Sequence, residues 1–146
     1  MTLAVEQQVV DAATSSRSPM SGVLLFGADQ GLISETAKRL IALVAGEPPD
    51  PFLLSEISPV KLNADPTIVG DEMIALSLTG ERKVVHIRQA TETLAPLVRA
   101  AFDNVAAANL MVVEAGELPP RSKLRKTYEA ASAGASVGCY GDDESQ

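Results

Sequence analysis

The sequence predicts a three-layer α/β/α domain with a mainly parallel sheet of about five strands. Segments with strand character alternate with segments of helical periodicity along the whole chain. Several of the strand segments are apolar on both faces, as strands are when helices cover both sides of a parallel sheet. With 146 residues and 46% apolar content, the chain is expected to form one domain, 1–146, with a substantial aliphatic core.

The first strand and the helix after it have clear signals at their ends. Gly22–Gly27 is a continuous apolar run that ends at a glycine, which is typical of a strand buried on both faces. Asp29 is placed to cap the next helix, and Gly46 with the following prolines ends it. The buried stripe of this helix is predicted to comprise Ile33, Ala37, Leu40 and Val44. Pro51–Ile57 is predicted as the second strand.

The middle of the chain predicts another helix and another strand. Asp65 is expected as the N-cap of the helix, with Pro66 at its first position. Its buried stripe is predicted to comprise Ile68 or Val69, Met73 and Leu76. The segment Ser77–Gly80 interrupts the helical pattern, and a strand follows over Lys83–Arg88.

A further helix and strand follow in the same alternation. Thr91 or Thr93 is expected to cap the helix, and Pro96 is acceptable because it lies in the first turn. The apolar face of this helix is predicted to comprise Leu94, Leu97, Val98, Ala101, Phe102 and Val105. Asn109–Glu114 is a strand that is apolar on both faces.

The last helix and strand complete the predicted domain. Pro119 and Pro120 are expected to open the helix, which carries Leu124, Tyr128 and Ala131 and ends at Gly134. A final strand is predicted over Ala135–Tyr140. Residues 1–20 are expected to be an irregular N-terminal segment, and residues 141–146 an acidic, frayed tail.

Composition excludes several classes of function. The formal net charge of −7 argues against direct binding of nucleic acid, which requires clustered Lys and Arg. The single cysteine, Cys139, provides neither a disulfide framework nor a thiolate metal site. The start of the chain lacks the pattern of a signal peptide, and no apolar run approaches the ~20 residues that span a bilayer. A soluble cytoplasmic protein without membrane contact is expected.

The turn Gly27–Ser34 lies where a phosphate-binding loop would, between a strand and a helix. Such a loop needs a lysine for the phosphates, but Ile33 stands near that position and Asp29 adds negative charge. We therefore predict an ordinary turn with no nucleotide cofactor. Glu114 ends a strand where nucleotide hydrolases often carry a magnesium-binding acid, and it is interpreted as a solvated carboxylate.

The other reactive residues are isolated in the sequence. His86 is the only histidine and has no triad partner or carboxylate cluster apparent by spacing, so we interpret it as a packed or edge residue. Cys139 is interpreted as a small core residue. No catalytic or metal site is predicted. Basic residues cluster in the last helix, on either a solvated face or a docking face: Arg121, Lys123, Arg125 and Lys126.

Leu78 is the unusual residue of the sequence. It lies between a helix and a strand, in a segment closed by Gly80 and followed by three charged residues, Glu81–Lys83. A leucine there either covers the core beneath the loop or points outward at a partner. We expect it to point outward.

Several stretches together resemble the N-terminal domain of the delta subunit of the bacterial DNA polymerase III clamp loader, in its alphaproteobacterial form. Their order and spacing extend along nearly the whole chain. The matching stretches are Leu24–Asp29, Asp50–Phe52, Ala75–Val85, Val112–Leu118, Arg121–Lys126 and Cys139–Tyr140.

The resemblance implies an AAA+/P-loop-NTPase-like core without a functional nucleotide site. In that family the domain binds the β sliding clamp and helps to open it, through a short hydrophobic element that follows a helix. By resemblance, that element is Leu76, Ser77, Leu78 and Thr79, with Leu78 as the anchor. Many members carry an aromatic residue where this chain has Thr79.

The resemblance also implies a place in a larger assembly. The chain would be a non-catalytic subunit of the DNA polymerase III holoenzyme, a DNA-directed DNA polymerase and nucleotidyltransferase by virtue of the complex. It would join gamma/tau and delta prime through the middle and C-terminal collar domains of the family, which this sequence does not include, and it would meet DNA only indirectly. Two alternatives remain open: a divergent P-loop ATPase or nucleotide kinase, and a non-catalytic α/β scaffold for another protein.

Overall fold

A computed structural model describes residues 20–104 and 108–140 and contains one parallel sheet of five strands in the order β2-β3-β4-β1-β5. The strands are β1 (Gly22–Phe26), β2 (Leu54–Ile57), β3 (Val84–Ala90), β4 (Leu110–Ala115) and β5 (Gly134–Gly138). The helices are α1 (Gln30–Ala45), α2 (Pro59–Ala64), α3 (Ile68–Ile74), α4 (Ala95–Asp103) and α5 (Lys123–Ala130). A 3₁₀ turn, Glu92–Leu94, leads into α4. The predicted three-layer fold with a parallel sheet is confirmed.

Helices cover both faces of the sheet because successive residues of each strand point to opposite sides. On one face, Val23 and Leu25 of β1 pack against α1, where Ile33, Ala37 and Leu40 are buried. On the other face, the core contains buried residues of α3, α4 and α5: Val69, Met73, Ala95, Val98, Ala101, Leu124 and Tyr128. The central strands are therefore apolar on both sides, as the sequence predicts.

Most predicted helical signals are confirmed. The Asp29 carboxylate accepts a hydrogen bond from the Leu32 N–H at 3.0 Å and so caps α1. Gly46 is the C-cap of α1, and Pro96 lies in the first turn of α4. Within the predicted face of α4, Leu94, Val98 and Ala101 are buried; Val105, residues 1–19 and residues 141–146 lie outside the described part of the chain.

Two predicted boundaries in the second quarter of the chain are wrong. The second strand begins at Leu54, because Pro51–Leu53 form a turn in which the Asp50 carboxylate accepts from the Phe52 N–H at 2.9 Å. Asp65 does not cap the following helix. It is the C-cap of the unpredicted helix α2, and its carboxylate accepts from both the N–H and the hydroxyl of Thr67.

Two further expectations are corrected at helix ends. Helix α3 ends at Ile74, so Leu76 lies beyond it and is 86% exposed instead of belonging to the buried stripe. The last helix begins at Lys123, where the Ser122 hydroxyl accepts from the Arg125 N–H, and Pro119-Pro120 precede it in the loop. The Ser122 cap, not the proline pair, marks the start of α5, whereas α3 ends before its apolar spacing does.

No helix in the described ranges is both long and apolar enough to cross a bilayer.

Candidate functional site

The loop between α3 and β3 exposes two leucines. Leu76 is 86% exposed and Leu78 is 90% exposed, whereas Met73, at the last buried position of α3, is 1% exposed. The prediction that Leu78 points outward is therefore confirmed. Burying a leucine is worth about 1.5–3 kcal/mol, so these two side chains leave most of their hydrophobic free energy available to a partner.

Hydrogen bonds within the loop give it a defined shape. The Ser77 hydroxyl donates to the Glu81 carbonyl at 2.8 Å, and the Thr79 hydroxyl donates to the Glu81 carboxylate at 2.7 Å. The Gly80 N–H donates to the Ser77 carbonyl at 3.2 Å, and Gly80 has a φ of 81°, which favours glycine. The two hydroxyls thus fold the turn, while Leu76 and Leu78 protrude from it.

The turn after β1 is tied to the protein itself. The Gly27 N–H donates to the Gly116 carbonyl at 3.0 Å, and the Asp29 N–H donates to the Cys139 carbonyl at 3.1 Å. The Asp29 carboxylate already lies at the amino end of α1, where a phosphate would otherwise be attracted. This arrangement does not favour phosphate binding, because these amides and the helix end already have protein acceptors.

Gly27 has a structural reason to be glycine. Its φ is 133°, and a Cβ atom added there would lie 2.3 Å from the Cys139 carbonyl oxygen. The glycine lets the turn pass against the end of β5, where Cys139 itself is buried as predicted.

His86 is held between two carboxylates from neighbouring strands. Its Nδ1 lies 2.9 Å from Glu56 Oε2 on β2, and its Nε2 lies 2.5 Å from Glu114 Oε2 on β4. The His86 side chain is 7% exposed and the Glu114 side chain is 13% exposed. The interpretation of Glu114 as a solvated carboxylate is therefore wrong. His86, which has no partner apparent by sequence spacing, lies between the carboxylates of Glu56 and Glu114.

The charge state of His86 follows from this geometry. Burial disfavours the charged imidazole, but the hydrogen bonds and negative charges of Glu114 and Glu56 outweigh it, so the pKa of His86 is raised. Only the doubly protonated ring can donate to both carboxylates at once. The cluster is thus an ion-paired network within the sheet, next to α1.

A mixed-charge cavity of about 460 Å³ adjoins this network. Lys38 and Arg88 line it together with Glu47, so its walls carry both cations and carboxylates. No group of three or more His, Cys, Asp or Glu side chains within residues 20–104 and 108–140 is arranged to hold a metal ion.

The basic cluster near α5 is not one helical face. Arg121 precedes the helix, whereas Arg125 lies on it and is already engaged. The Arg125 guanidinium lies 4.7 Å above the Phe26 ring, pairs with Glu129 at 2.9 Å and donates to the Leu118 carbonyl. Arg121 and Arg125 therefore do not lie together on one face of α5, and Arg125 is engaged in contacts within the domain.

No family model matches the sequence, and no curated protein matches it at the level of sequence. Similar solved structures include the Bacillus subtilis DNA clamp loader delta protein, with a TM-score of 0.67, 17% identity, and coverage of 92% of this chain and 42% of that one. A DNA polymerase III gamma subunit-related protein from Thermotoga maritima has a TM-score of 0.60 and 15% identity, over 94% of this chain and 45% of that one.

RuvB T158V from Thermotoga maritima is also similar, with a TM-score of 0.54 and 13% identity, over 93% of this chain and 43% of that protein. The chain spans less than half the length of each of these structures. At such identities the likeness concerns the fold. The chain therefore shares with these three structures its fold, a five-stranded parallel sheet covered by helices.

Proposed function

We propose that this chain is the clamp-binding domain of a clamp-loader delta subunit and that it binds the β sliding clamp through Leu76, Ser77, Leu78 and Thr79. One observation carries the proposal: two leucines stand 86% and 90% exposed on a hydrogen-bonded loop. Such a side chain can fill an apolar pocket on a partner and contribute about 2 kcal/mol or more as an anchor. The likeness in fold to a clamp loader delta protein supports this choice of partner.

The two hydroxyl residues have a different part in the proposed contact. Ser77 and Thr79 both bond to Glu81, so they shape the loop that presents Leu76 and Leu78. Where many delta subunits carry an aromatic residue, Thr79 instead supplies a turn-forming hydroxyl. Leu78 then carries most of the apolar contact.

In this proposal the domain acts by binding and has no catalytic role. A subunit that binds the open ring more tightly than the closed ring shifts the clamp toward opening. ATP hydrolysis belongs to sister subunits, and the bonds of the Gly27 and Asp29 amides to protein acceptors support this assignment. In this proposal, gamma/tau and delta prime are partners through the middle and collar domains of the family. The chain meets DNA only through the complex, because its net charge of −7 does not favour direct contact with phosphates. The proposed place of action is the cytoplasm.

The test is a calorimetric titration of the chain with the cognate β clamp, without nucleotide. We expect saturable binding that is lost in the double variant Leu76→Ser/Leu78→Ser, because both apolar side chains are replaced on a surface that the free protein already exposes. A parallel titration with magnesium-ATP addresses the enzyme alternative. Failure of the unmodified chain to bind the clamp refutes the proposal, and ATP binding that depends on the Gly27–Ser34 turn favours the P-loop ATPase or kinase.

A further inference from the structure

A buried asparagine connects the two ends of the leucine loop. Asn109 is 3% exposed and lies immediately before β4, beside the chain segments that enter and leave the loop. Its Nδ2 donates to the Glu72 carbonyl and to the Ala75 carbonyl, both at 2.8 Å. Its Oδ1 accepts from the Lys83 N–H at 2.9 Å. One side-chain amide therefore bonds to the chain before and after the loop.

Asn109 bonds three carbonyls at the carboxyl end of α3. The last carbonyls of a helix have no partner within the helix and need other donors. Helix α3 has no glycine at its end, and its C-cap, Ala75, is already extended, with ψ of 138°. Asn109 supplies most of the donors: its side chain bonds the Glu72 and Ala75 carbonyls, and its backbone N–H bonds the Met73 carbonyl at 3.3 Å. The Ala75 N–H also bonds the Glu72 carbonyl at 3.3 Å, and the Ala108 N–H bonds the Met73 carbonyl at 3.2 Å. Within the described part of the chain, the donor to the Ala75 carbonyl is the Asn109 side chain.

The same residue fixes where β3 begins. Lys83 precedes the first residue of β3, and its N–H has the Asn109 side-chain oxygen as acceptor. The Lys83 ammonium also lies 3.5 Å from the Glu72 carboxylate, so an ion pair joins the same two ends of the loop. The pair is partly solvated and is worth little by itself. The buried amide of Asn109 is the stronger constraint, because it makes three hydrogen bonds at once and because its own polar atoms are buried.

We propose that Asn109 is the positioning residue of the clamp-binding loop: by bonding Glu72, Ala75 and Lys83 it fixes the ends between which Leu76 and Leu78 protrude. The proposal rests on the proposed function, since it assigns Asn109 a role at that site. A loop fixed in its binding conformation loses less conformational entropy on binding. Asn109 does not contact the clamp and acts only through the loop.

The experiment compares Asn109→Ala with Ser122→Ala in the otherwise unmodified chain. Ser122 is also buried, and its hydroxyl caps α5 and donates to Glu92. It follows β4, at the carboxyl edge of the parallel sheet, whereas the leucine loop precedes β3 at the opposite edge. Both variants lose buried hydrogen bonds, but only Asn109→Ala changes the loop. Thermal unfolding measures how much stability each loses.

Two measurements distinguish positioning from general stability. Amide hydrogen exchange follows the Gly80 N–H, which is bonded within the loop. Calorimetry follows clamp affinity at a temperature where circular dichroism shows every variant folded. For Asn109→Ala we expect about tenfold faster Gly80 exchange and about tenfold weaker clamp binding, and for Ser122→Ala no change in either. In a Leu78→Ala background, Asn109→Ala should weaken binding by less, because the two residues act through the same contact.

Equal effects of the two variants on Gly80 exchange and on affinity would overturn the positioning role and leave Asn109 as an ordinary buried polar residue. Should Asn109→Ala fail to fold, Asn109→Ser replaces it in the same comparison, because the serine hydroxyl supplies one shorter polar group in place of the amide. Failure of the unmodified chain to bind the clamp would refute the proposed function alone. The Gly80 exchange rate would then still decide whether Asn109 orders the loop.

Discussion

Replacing Leu78 by alanine separates an exposed anchor from a core residue. Leu78 is 90% exposed, so only about a tenth of its side chain is covered in the free protein. Complete burial of a leucine is worth at most about 3 kcal/mol, so truncation should cost the free protein no more than about 0.3 kcal/mol. Seated in a clamp pocket, the same side chain should contribute about 2 kcal/mol, equivalent to about thirtyfold in Kd.

The assay pairs thermal unfolding with calorimetric titration of the β clamp. We expect the Tm of Leu78→Ala to fall by less than about 2 °C, while its clamp Kd rises about thirtyfold. Val60→Ala is the matched control, because Val60 is 77% exposed on α2 and should change neither quantity. A large fall in Tm with unchanged affinity would refute the reasoning, since it would make Leu78 a residue of the folded core.

Three further predictions concern the fold around the site. The pKa of His86 is raised in the folded protein, so its ion pairs stabilise the fold below about pH 6.5, and this contribution is lost as pH rises through the raised folded pKa. Urea unfolding should show that the destabilisation by His86→Gln shrinks as pH rises; a constant difference would contradict it. Gly27→Ala should lower the unfolding free energy by at least about 2 kcal/mol, because its Cβ would lie 2.3 Å from the Cys139 carbonyl oxygen. Gly70 is exposed on α3, and a Cβ added there would meet no atom within 4 Å, so Gly70→Ala should raise the unfolding free energy by about 0.5–1 kcal/mol. Equal effects of the two glycine substitutions would argue against the described turn at Gly27. Tyr128→Phe should leave the Tm unchanged or raise it, since the buried Tyr128 hydroxyl has no partner within the described ranges; a fall of several degrees would reveal one.

The sequence is sufficient for the architecture because its strongest signals are local and apolar. Gly22–Gly27 and Leu110–Val113 are uninterrupted apolar runs, and both form interior strands of the sheet. Helix ends are harder to predict, because several neighbouring polar residues compete to cap the same turn. Asp65-Pro66 is a convincing start signal, yet Ser58 capped an earlier helix and left Asp65 at its end.

The candidate site was predicted to different degrees. The neighbours of Leu78 alone favour a leucine that covers the core, and the prediction that it points outward rests on the family resemblance. The His86 network could not be predicted by spacing, because its two carboxylates lie 30 and 28 residues away along the chain. They meet only because β2 and β4 flank β3 in the sheet. The available signal was that Glu56 and Glu114 each lie near the end of a predicted strand, and such ends share one edge of a parallel sheet.

The hydrogen bonds of Asn109 could not be predicted from the sequence for the same reason. It stands at the start of a predicted strand, and nothing in its immediate neighbours indicates a link to Glu72, which lies 37 residues earlier. Its role depends on the crossover that brings the end of α3 beside the start of β4. Polar residues that connect distant segments are visible only once the strand order is known.

The most direct measurement places a photo-reactive leucine at position 78 and irradiates the chain with the cognate β clamp. A diazirine at that position should crosslink to the clamp, and mass spectrometry should map the adduct to one apolar pocket. The same group at position 43, on the half-exposed Leu43 of α1, should give no clamp adduct. Adducts from position 78 that map only to the chain's own core, or an absence of clamp adducts under conditions of binding, would contradict the central claim.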